Sequence, residues 1–424
     1  MFDRDRWQEI FSALKKNKLR TALTAFGVFW GIFMLVIMLG SGKGLENGVY
    51  YGMGGFATNS VFVWAQNTTV PYKGFKKGRW YNFNNSDTKV LKEQIPELEN
   101  IAPRLQARFW QSEGQNNVVR GLKTGAFNIF GDVPDFNKID PVTIIKGRYI
   151  NAEDVEKRRK NAVIGARVAD LLFEKDENPI GEYIQIKGVY FMVVGVYKSQ
   201  HSGGWAEWQE TTIEIPLTTL QQVYNFGEQV GWYAMTSRPD VSVNVVEEKA
   251  KTILKKRHSV SPDDNEAIGS DNVEKQFKKI GKLFLGIKAL IWIVGIGTLL
   301  AGVIGVSNIM LIIVKERTKE IGIQRALGAT PLNIISQIIT ESVFLTSIAG
   351  YLGLLLGVGV VEAINMALEK SQEGAQNIMF TRPEVDFNVA LTSLIILIVC
   401  GAIAGFIPAK RAINVKPIEA LRYE

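Results

Sequence analysis

Apolar residues fall in four long runs, one near the N-terminus and three in the last third of the chain, with a polar block over 43–282 between them. Residues 21–42, 289–314, 342–361 and 387–409 contain no Lys, Arg or His. Each run is about 20 residues or longer, enough for a helix to cross a hydrocarbon core ~30 Å thick. The pattern predicts an α-helical membrane protein with four transmembrane helices. A large mixed α/β extracytoplasmic domain is inserted between spans one and two. The expected boundaries are an amphipathic helix over 1–18, transmembrane helix one over 19–42 and the inserted domain over 43–282. Transmembrane helix two follows over 283–314, a connecting loop over 315–331 and helix three over 332–366. A short outer loop over 367–386, helix four over 387–409 and a tail over 410–424 complete the chain. The first run is longer than the apolar core of a signal peptide and no A-x-A site follows it, so it reads as an uncleaved anchor.

Finer periodicities fill in the rest. Trp7, Ile10, Phe11 and Leu14 recur at helical spacing ahead of span one. They predict an amphipathic helix, either lying on the membrane surface or packed on a partner. In the polar block, 61–65 and 211–215 read as strands, and 183–197 as a hairpin about Lys187-Gly188. Residues 241–254 read as a helix with Val245, Val246, Ala250, Ile253 and Leu254 on one face. Segments 67–85 and 258–270 read as loops, the first of them mobile. Phe277, Ile280 and Phe284 share a helical face leading into span two, which predicts one continuous helix that extends past the bilayer as a stalk.

The formal charge of +7 matters through its placement. Residues 1–20 carry Arg4, Arg6, Lys15, Lys16, Lys18 and Arg20; loop 315–331 carries Lys315, Arg317, Lys319 and Arg325. The tail adds Lys410, Arg411, Lys416 and Arg422, whereas loop 367–386 has Lys370 and Arg382 against four carboxylates. The positive-inside rule then places both termini and loop 315–331 in the cytoplasm. Lys275, Lys278, Lys279, Lys282 and Lys288 oppose that orientation, but long translocated domains obey the rule weakly. A basic balance set by topology gives no reason to expect nucleic acid as a partner.

Chemistry-bearing residues are sparse. Cys400 lies inside span four and is alone, and His201 and His258 are far apart, which argues against an intrachain disulfide and a histidine metal site. The SGKG at 41–44 has neither the preceding Gly nor the following Ser/Thr of a phosphate-binding loop. No nucleotide site, nucleophile motif or metal spacing is legible, so no catalytic residue and no cofactor are expected in this chain. Glycines cluster in the spans, with Gly302 and Gly305 on span two and Gly350, Gly353 and Gly357 on span three. They allow close helix approach, either within one bundle or at a self-association face. Glu341, early in span three, is either a functional intramembrane carboxylate or the partner of Arg325 or a neighbour near the interface.

Residues 315–330 read KERTKEIGIQRALGAT. Glu316, Lys319, Glu320 and Ile323 alternate along a helix, Gly328 is placed to end it, and Pro331 follows. A docking helix needs such charges together with apolar residues, here Ile321, Ile323 and Leu327, to fill a groove.

This segment resembles the cytoplasmic signature of the MacB/FtsX-type ABC transporter permeases. Asn308-Ile309-Met310 before it, Gln337 and Glu341 after it, and Pro417-Ile418-Glu419-Ala420-Leu421-Arg422 in the tail are similar to the family pattern. So are Gly147-Arg148, Val163-x-Gly165, Pro179-x-Gly181 and Val193-Val194-Gly195-Val196 in the inserted domain. The resemblance covers nearly the whole chain, including the order of one span, a large domain and three spans.

The resemblance implies a multi-pass permease subunit of the bacterial inner membrane. Lacking the fused ATPase of some members, it would use a separate ABC ATPase subunit that binds ATP and Mg. It would act with a second permease copy, as a homodimer or a paralogue heterodimer. Glu316, Arg317, Glu320, Ile321, Gly322, Ile323, Arg325 and Gly328 would form the ATPase-coupling site. The expected function is to couple ATP hydrolysis by the ATPase subunit to movement of the extracytoplasmic domain, for export of a drug, peptide or toxin with a periplasmic adaptor and an outer-membrane channel. The alternatives are lipoprotein release from the outer leaflet and transport-free signalling to a cell-wall hydrolase. A receptor or adhesin would not need the patterned 315–330 segment.

Overall fold

A computed structural model describes residues 18–53, 55–107, 117–201, 203–371, 380–385 and 387–414. The expected amphipathic helix (but for Lys18), residues 372–379 and 386 of loop 367–386 and the tail motif beyond residue 414 lie outside the described residues. The chain divides into a helical unit and an α/β unit, the latter running Tyr50–Lys282.

The helical unit is built on four helices that are long and apolar enough to cross a membrane. They are Lys18–Met53, Val273–Glu316, Pro331–Ser371 and Phe387–Ile413. The second is one unbroken helix of 44 residues, ~66 Å at 1.5 Å per residue and therefore longer than a bilayer core. Val28, Ile32, Leu35, Leu299, Val303, Met310, Ile338 and Leu397 form the bundle core. Glycines set the helix spacing. A Cβ added at Gly302 would lie 3.2 Å from the Gly27 backbone, at Gly353 2.5 Å from the Phe29 carbonyl oxygen, and at Gly357 2.9 Å from Val36. At Gly350 it would meet Leu397 at 2.1 Å, whereas at Gly305 it meets nothing within 4 Å. Four of the five glycines thus pack helix on helix within one chain, where close backbone approach replaces water exclusion as the source of association. Leu290, Ile293, Leu300 and Ile304 on the second helix, and Leu352, Leu355 and Leu356 on the third, face outward, as a lipid-facing surface requires.

The α/β unit carries β1 (Ser60–Ala65), β2 (Phe83–Asn84), β3 (Leu98–Gln106), β4 (Asn117–Arg120), β5 (Lys123–Ala126), β6 (Asn128–Asp132) and β7 (Val142–Gly147). It continues with β8 (Asn161–Gly165), β9 (Tyr183–Ile186), β10 (Val189–Ser199), β11 (Thr212–Pro216), β12 (Gln229–Val230), β13 (Trp232–Ser237) and β14 (Ile268–Asn272). Twelve strands join in the order β14-β1-β13-β3-β6-β11-β8-β10-β9-β4-β5, with β7 also on β10; β12 pairs β2 separately.

Two cores follow. The antiparallel half, β14 to β3, packs Val61, Val63, Ile101, Tyr233 and Met235 against the helices Asn85–Gln94 and Val243–Arg257. The other half contains the parallel pairs β6/β11 and β8/β10 and is covered by the helices Ala166–Leu172 and Leu217–Val223. Every residue of β8 and of β11 is buried, as parallel strands covered on both faces must be.

Two expectations for this unit need correction. Val245 is exposed, because the helix begins at Val243 and turns Val243, Val246, Ala250 and Leu254 inward. Segment 67–85 is not a free loop. The Asp264 carboxylate accepts hydrogen bonds from the backbone N–H of Thr69 (2.7 Å) and Val70 (3.0 Å), and β2 lies within the segment.

At the seam of the two halves, Arg104 on β3 is buried between Asp132 of β6 (2.7 Å) and Glu214 of β11 (3.4 Å), its guanidinium 3.9 Å from the Phe136 ring centroid. One cation serves two carboxylates. Burial, then the Asp132 charge, push the Glu214 carboxyl up to about 8.

Candidate functional site

The segment joining the second and third long helices is the candidate coupling site. Val273–Glu316 ends at Glu316, and Arg317 leaves helical geometry only slightly, with φ −93° and ψ 12°. A short helix then runs Thr318–Ala326. It stops at Gly328, whose φ of +99° lies in the left-handed region that glycine tolerates. The Ala329 N–H donates to the Gln324 carbonyl (2.9 Å) and the Gly328 N–H to the Arg325 carbonyl (3.1 Å), so the last turn keeps its acceptors occupied. Pro331 opens the next helix, where its missing N–H costs nothing.

Three side chains anchor this helix to the bundle. Arg317 pairs with Glu320 (2.9 Å) and with Glu341 (3.4 Å), the latter 1 % exposed on the third long helix. Ile321 is buried in the bundle core together with Ile334 and Ile338. The Arg325 guanidinium donates to the Ile413 carbonyl at 2.5 Å, at the end of the fourth long helix. A cation there also meets the negative end of the helix dipole. Gly322 is buried as well.

The opposite face carries the exposed side chains. Glu316, Lys319, Glu320, Ile323 and Leu327 are exposed, Leu327 at 84 %. Lys319, Glu320, Ile323 and Leu327 recur at helical spacing along the connecting helix, and the exposed Glu316 precedes them at the end of the second long helix. Two carboxylates, one ammonium and two aliphatic side chains therefore project together from a helix held at three points.

The structure divides the residues that the sequence grouped. Glu316, Glu320, Ile323 and Gly328 lie on the exposed side; Arg317, Ile321, Gly322 and Arg325 are engaged within the bundle. Ile321 is the correction: it does not face outward with Ile323. Two residues apart is 200° around a helix, so the two isoleucines must point to opposite sides. Lys319 completes the exposed stripe, and its position one turn from Ile323 is a periodicity that the sequence already carries. Glu341 is joined to Arg317, a neighbour on the connecting segment.

Comparison with known proteins covers both units. The model of the MacB-like periplasmic core domain matches residues 21–253, and that of the FtsX-like permease C-terminal matches residues 292–417. A macrolide export ATP-binding/permease protein MacB of Bdellovibrio bacteriovorus is 28% identical over 415 residues, 98% of this chain and 61% of that protein. A pyoverdine export ATP-binding/permease protein PvdT of Pseudomonas savastanoi pv. phaseolicola is 29% identical over 421 residues, 99% of this chain and 60% of that one. The chain thus spans about three-fifths of the length of the curated relatives it matches. Among solved structures, the periplasmic region of MacB from Actinobacillus actinomycetemcomitans covers 54% of this chain and 94% of its own, with 18% identity and a TM-score of 0.43.

Proposed function

The chain belongs to the MacB/FtsX-type ABC transporter permease family, and from that premise we propose that it is the permease subunit of an exporter driven by a separate ABC ATPase. The observation that carries the proposal is the connecting helix Thr318–Ala326, fixed to the bundle by Arg317, Ile321 and Arg325 while it presents Glu316, Lys319, Glu320, Ile323 and Leu327. A surface that transmits force needs both properties. It must grip a partner, and it must be unable to tilt independently of the spans it joins.

The ATPase, carrying ATP and Mg, engages this stripe from the cytoplasm. Both termini of the permease lie on the same side, in the bacterial inner membrane, and two permease copies meet two ATPases. Closure of the ATPase pair displaces the connecting helices and, through the continuous helix Val273–Glu316, acts on the α/β domain beyond the membrane. A helix with a fixed length and two discrete positions is a sufficient coupling element. The cargo is a small molecule, peptide or toxin taken at the outer face. The relatives' descriptions as macrolide and pyoverdine exporters favour export over lipoprotein release or signalling. A periplasmic adaptor and an outer-membrane channel would complete the route.

The test is co-expression with the ABC ATPase subunits of the source genome. Glu316→Lys with Glu320→Lys reverses two charges on the exposed stripe, and the permease remains folded while co-purification and vectorial ATPase stimulation are lost. Unchanged complex formation and activity in that double variant would remove the docking role.

A further inference from the structure

The α/β domain encloses a cavity of about 1190 Å³ where its two sheet halves meet. It is somewhat larger than the ~300–1,000 Å³ of ordinary small-molecule sites. Aromatic side chains dominate its walls: Phe56, Trp80, Trp205, Trp208 and Trp232. Trp205 and Trp208, one turn apart on the helix Gly203–Glu210, stack at 5.2 Å with their planes 15° apart. Trp80 and Trp205 nevertheless remain 59 % and 47 % exposed. Indole rings contribute most to a fold when covered, so a concave wall of half-exposed tryptophans is unused binding surface.

Charge narrows the occupant. Among the described residues Arg104 is the one cation on the wall, and its charge is committed to Asp132 and Glu214 behind it. The Asp140 carboxylate is held by His201 (2.7 Å) and by the amide of Gln209 (3.1 Å). Glu266 and Asp271 line the same cavity, are exposed, and form no ion pair among the described residues. Asp271 accepts a hydrogen bond from the neutral amide of Gln276, which leaves its negative charge in place. Aromatic faces here stand beside carboxylates that attract a cation and repel an anion of the same size.

We propose that this cavity binds a small amphiphilic cation, its apolar body against the tryptophans and its charge towards Glu266 and Asp271. As the place where cargo is taken up this rests on the export reading above, whereas the binding itself is a property of the α/β domain.

The experiment uses the full chain in lipid nanodiscs without any ATPase. The cationic aromatic dye rhodamine 6G is titrated and followed by fluorescence polarisation, with empty discs subtracted. Binding is expected to saturate and to weaken about fivefold or more in Trp80→Ala/Trp205→Ala, and by a similar factor in Glu266→Gln/Asp271→Asn. All four side chains are exposed, and unchanged unfolding midpoints verify that the variants fold. The anionic probe 8-anilinonaphthalene-1-sulfonate should not displace the dye. Affinity for rhodamine 6G within twofold of the parent in both double variants, or full displacement by the anionic probe, would overturn the proposal. With no ATPase present, such a failure removes the cargo site and leaves the docking reading standing. Loss of docking in the Glu316/Glu320 variant leaves dye binding in place.

Discussion

Arg317 lies 3.4 Å from Glu341, and that pair ties the head of the connecting helix to a carboxylate that is 1 % exposed on the third long helix. An isolated charge at that depth would cost several kcal/mol, so the pair and its neighbours must hold it. Arg317→Ala is therefore expected to lower the unfolding midpoint of the detergent-solubilised protein, by the equivalent of about 1.5–3 kcal/mol for a lost charged hydrogen bond. Arg317→Met with Glu341→Gln removes both charges and should recover most of that loss. A double variant as unstable as the single one would show that the pair is not the anchor.

The seam of the α/β domain makes a prediction of the opposite kind to ordinary acid denaturation. Burial and the Asp132 charge raise the Glu214 carboxyl from its usual range to about 8. The folded domain then binds more protons than the unfolded chain between about pH 4.5 and 8. Stability from this group is complete below the unfolded value and is lost as pH rises through about 8. Glu247 runs the other way. Burial opposes its charge, but hydrogen bonds from Lys251, Lys275, Ser270 and Asn272 outweigh that and hold it at about 2. Its contribution is present above about 4.5 and disappears as the solution is acidified towards 2. Thermal unfolding from pH 5 to 8 should show falling stability in the parent protein and a flatter profile in Glu214→Gln. A rising profile in the parent would contradict the buried proton.

The membrane glycines give a paired test. Gly353→Ala puts a methyl group 2.5 Å from the Phe29 carbonyl oxygen and must push the first and third helices apart, at about 1–3 kcal/mol. Gly305→Ala meets open space and removes a flexible residue from a helix interior, so it should be neutral or stabilising by up to ~1 kcal/mol. Unfolding midpoints in one detergent compare the two directly. If the variants behave alike, helix spacing is not set at Gly353. If Gly305→Ala instead abolishes self-association with the midpoint unchanged, Gly305 belongs to a face between copies.

These elements differ in how far a one-dimensional reading reaches. The four spans are legible because hydropathy over ~20 residues needs no partner to be recognised. The hairpin of β9 and β10 is legible for a local reason too: Lys187 and Gly188 both take positive φ, 49° and 79°, as a two-residue turn between strands requires. The Arg104 seam is not legible. Arg104, Asp132 and Glu214 lie on three strands and meet only through the pairing of β3 with β6 and of β6 with β11. The aromatic cavity has the same origin, since Trp80, Trp205 and Trp232 are brought together by topology rather than spacing. Asp264 sits in a segment that reads as loop, and only the fold reveals that it fastens 67–85.

In the coupling segment, composition is legible and phase is not, and this separates two isoleucines experimentally. Ile321 is 7 % exposed and packs in the bundle core, whereas Ile323 is 43 % exposed on the face with Glu316 and Glu320. Ile321→Ala leaves a cavity and should destabilise the permease by about 2–4 kcal/mol, seen as a lower unfolding midpoint with or without an ATPase present. Ile323→Ala should leave that midpoint within ~0.5 kcal/mol of the parent. Its deficit should appear only when the ATPase is present, as weaker co-purification and reduced stimulated turnover. The two substitutions delete the same atoms two positions apart, so helix propensity and side-chain size cancel in the comparison. What remains is the side of the helix each one occupies. If Ile321→Ala spares stability and Ile323→Ala spares coupling, the connecting helix is not held with its Glu316–Leu327 stripe outward, and the lever from motor to bundle must be sought elsewhere on the protein.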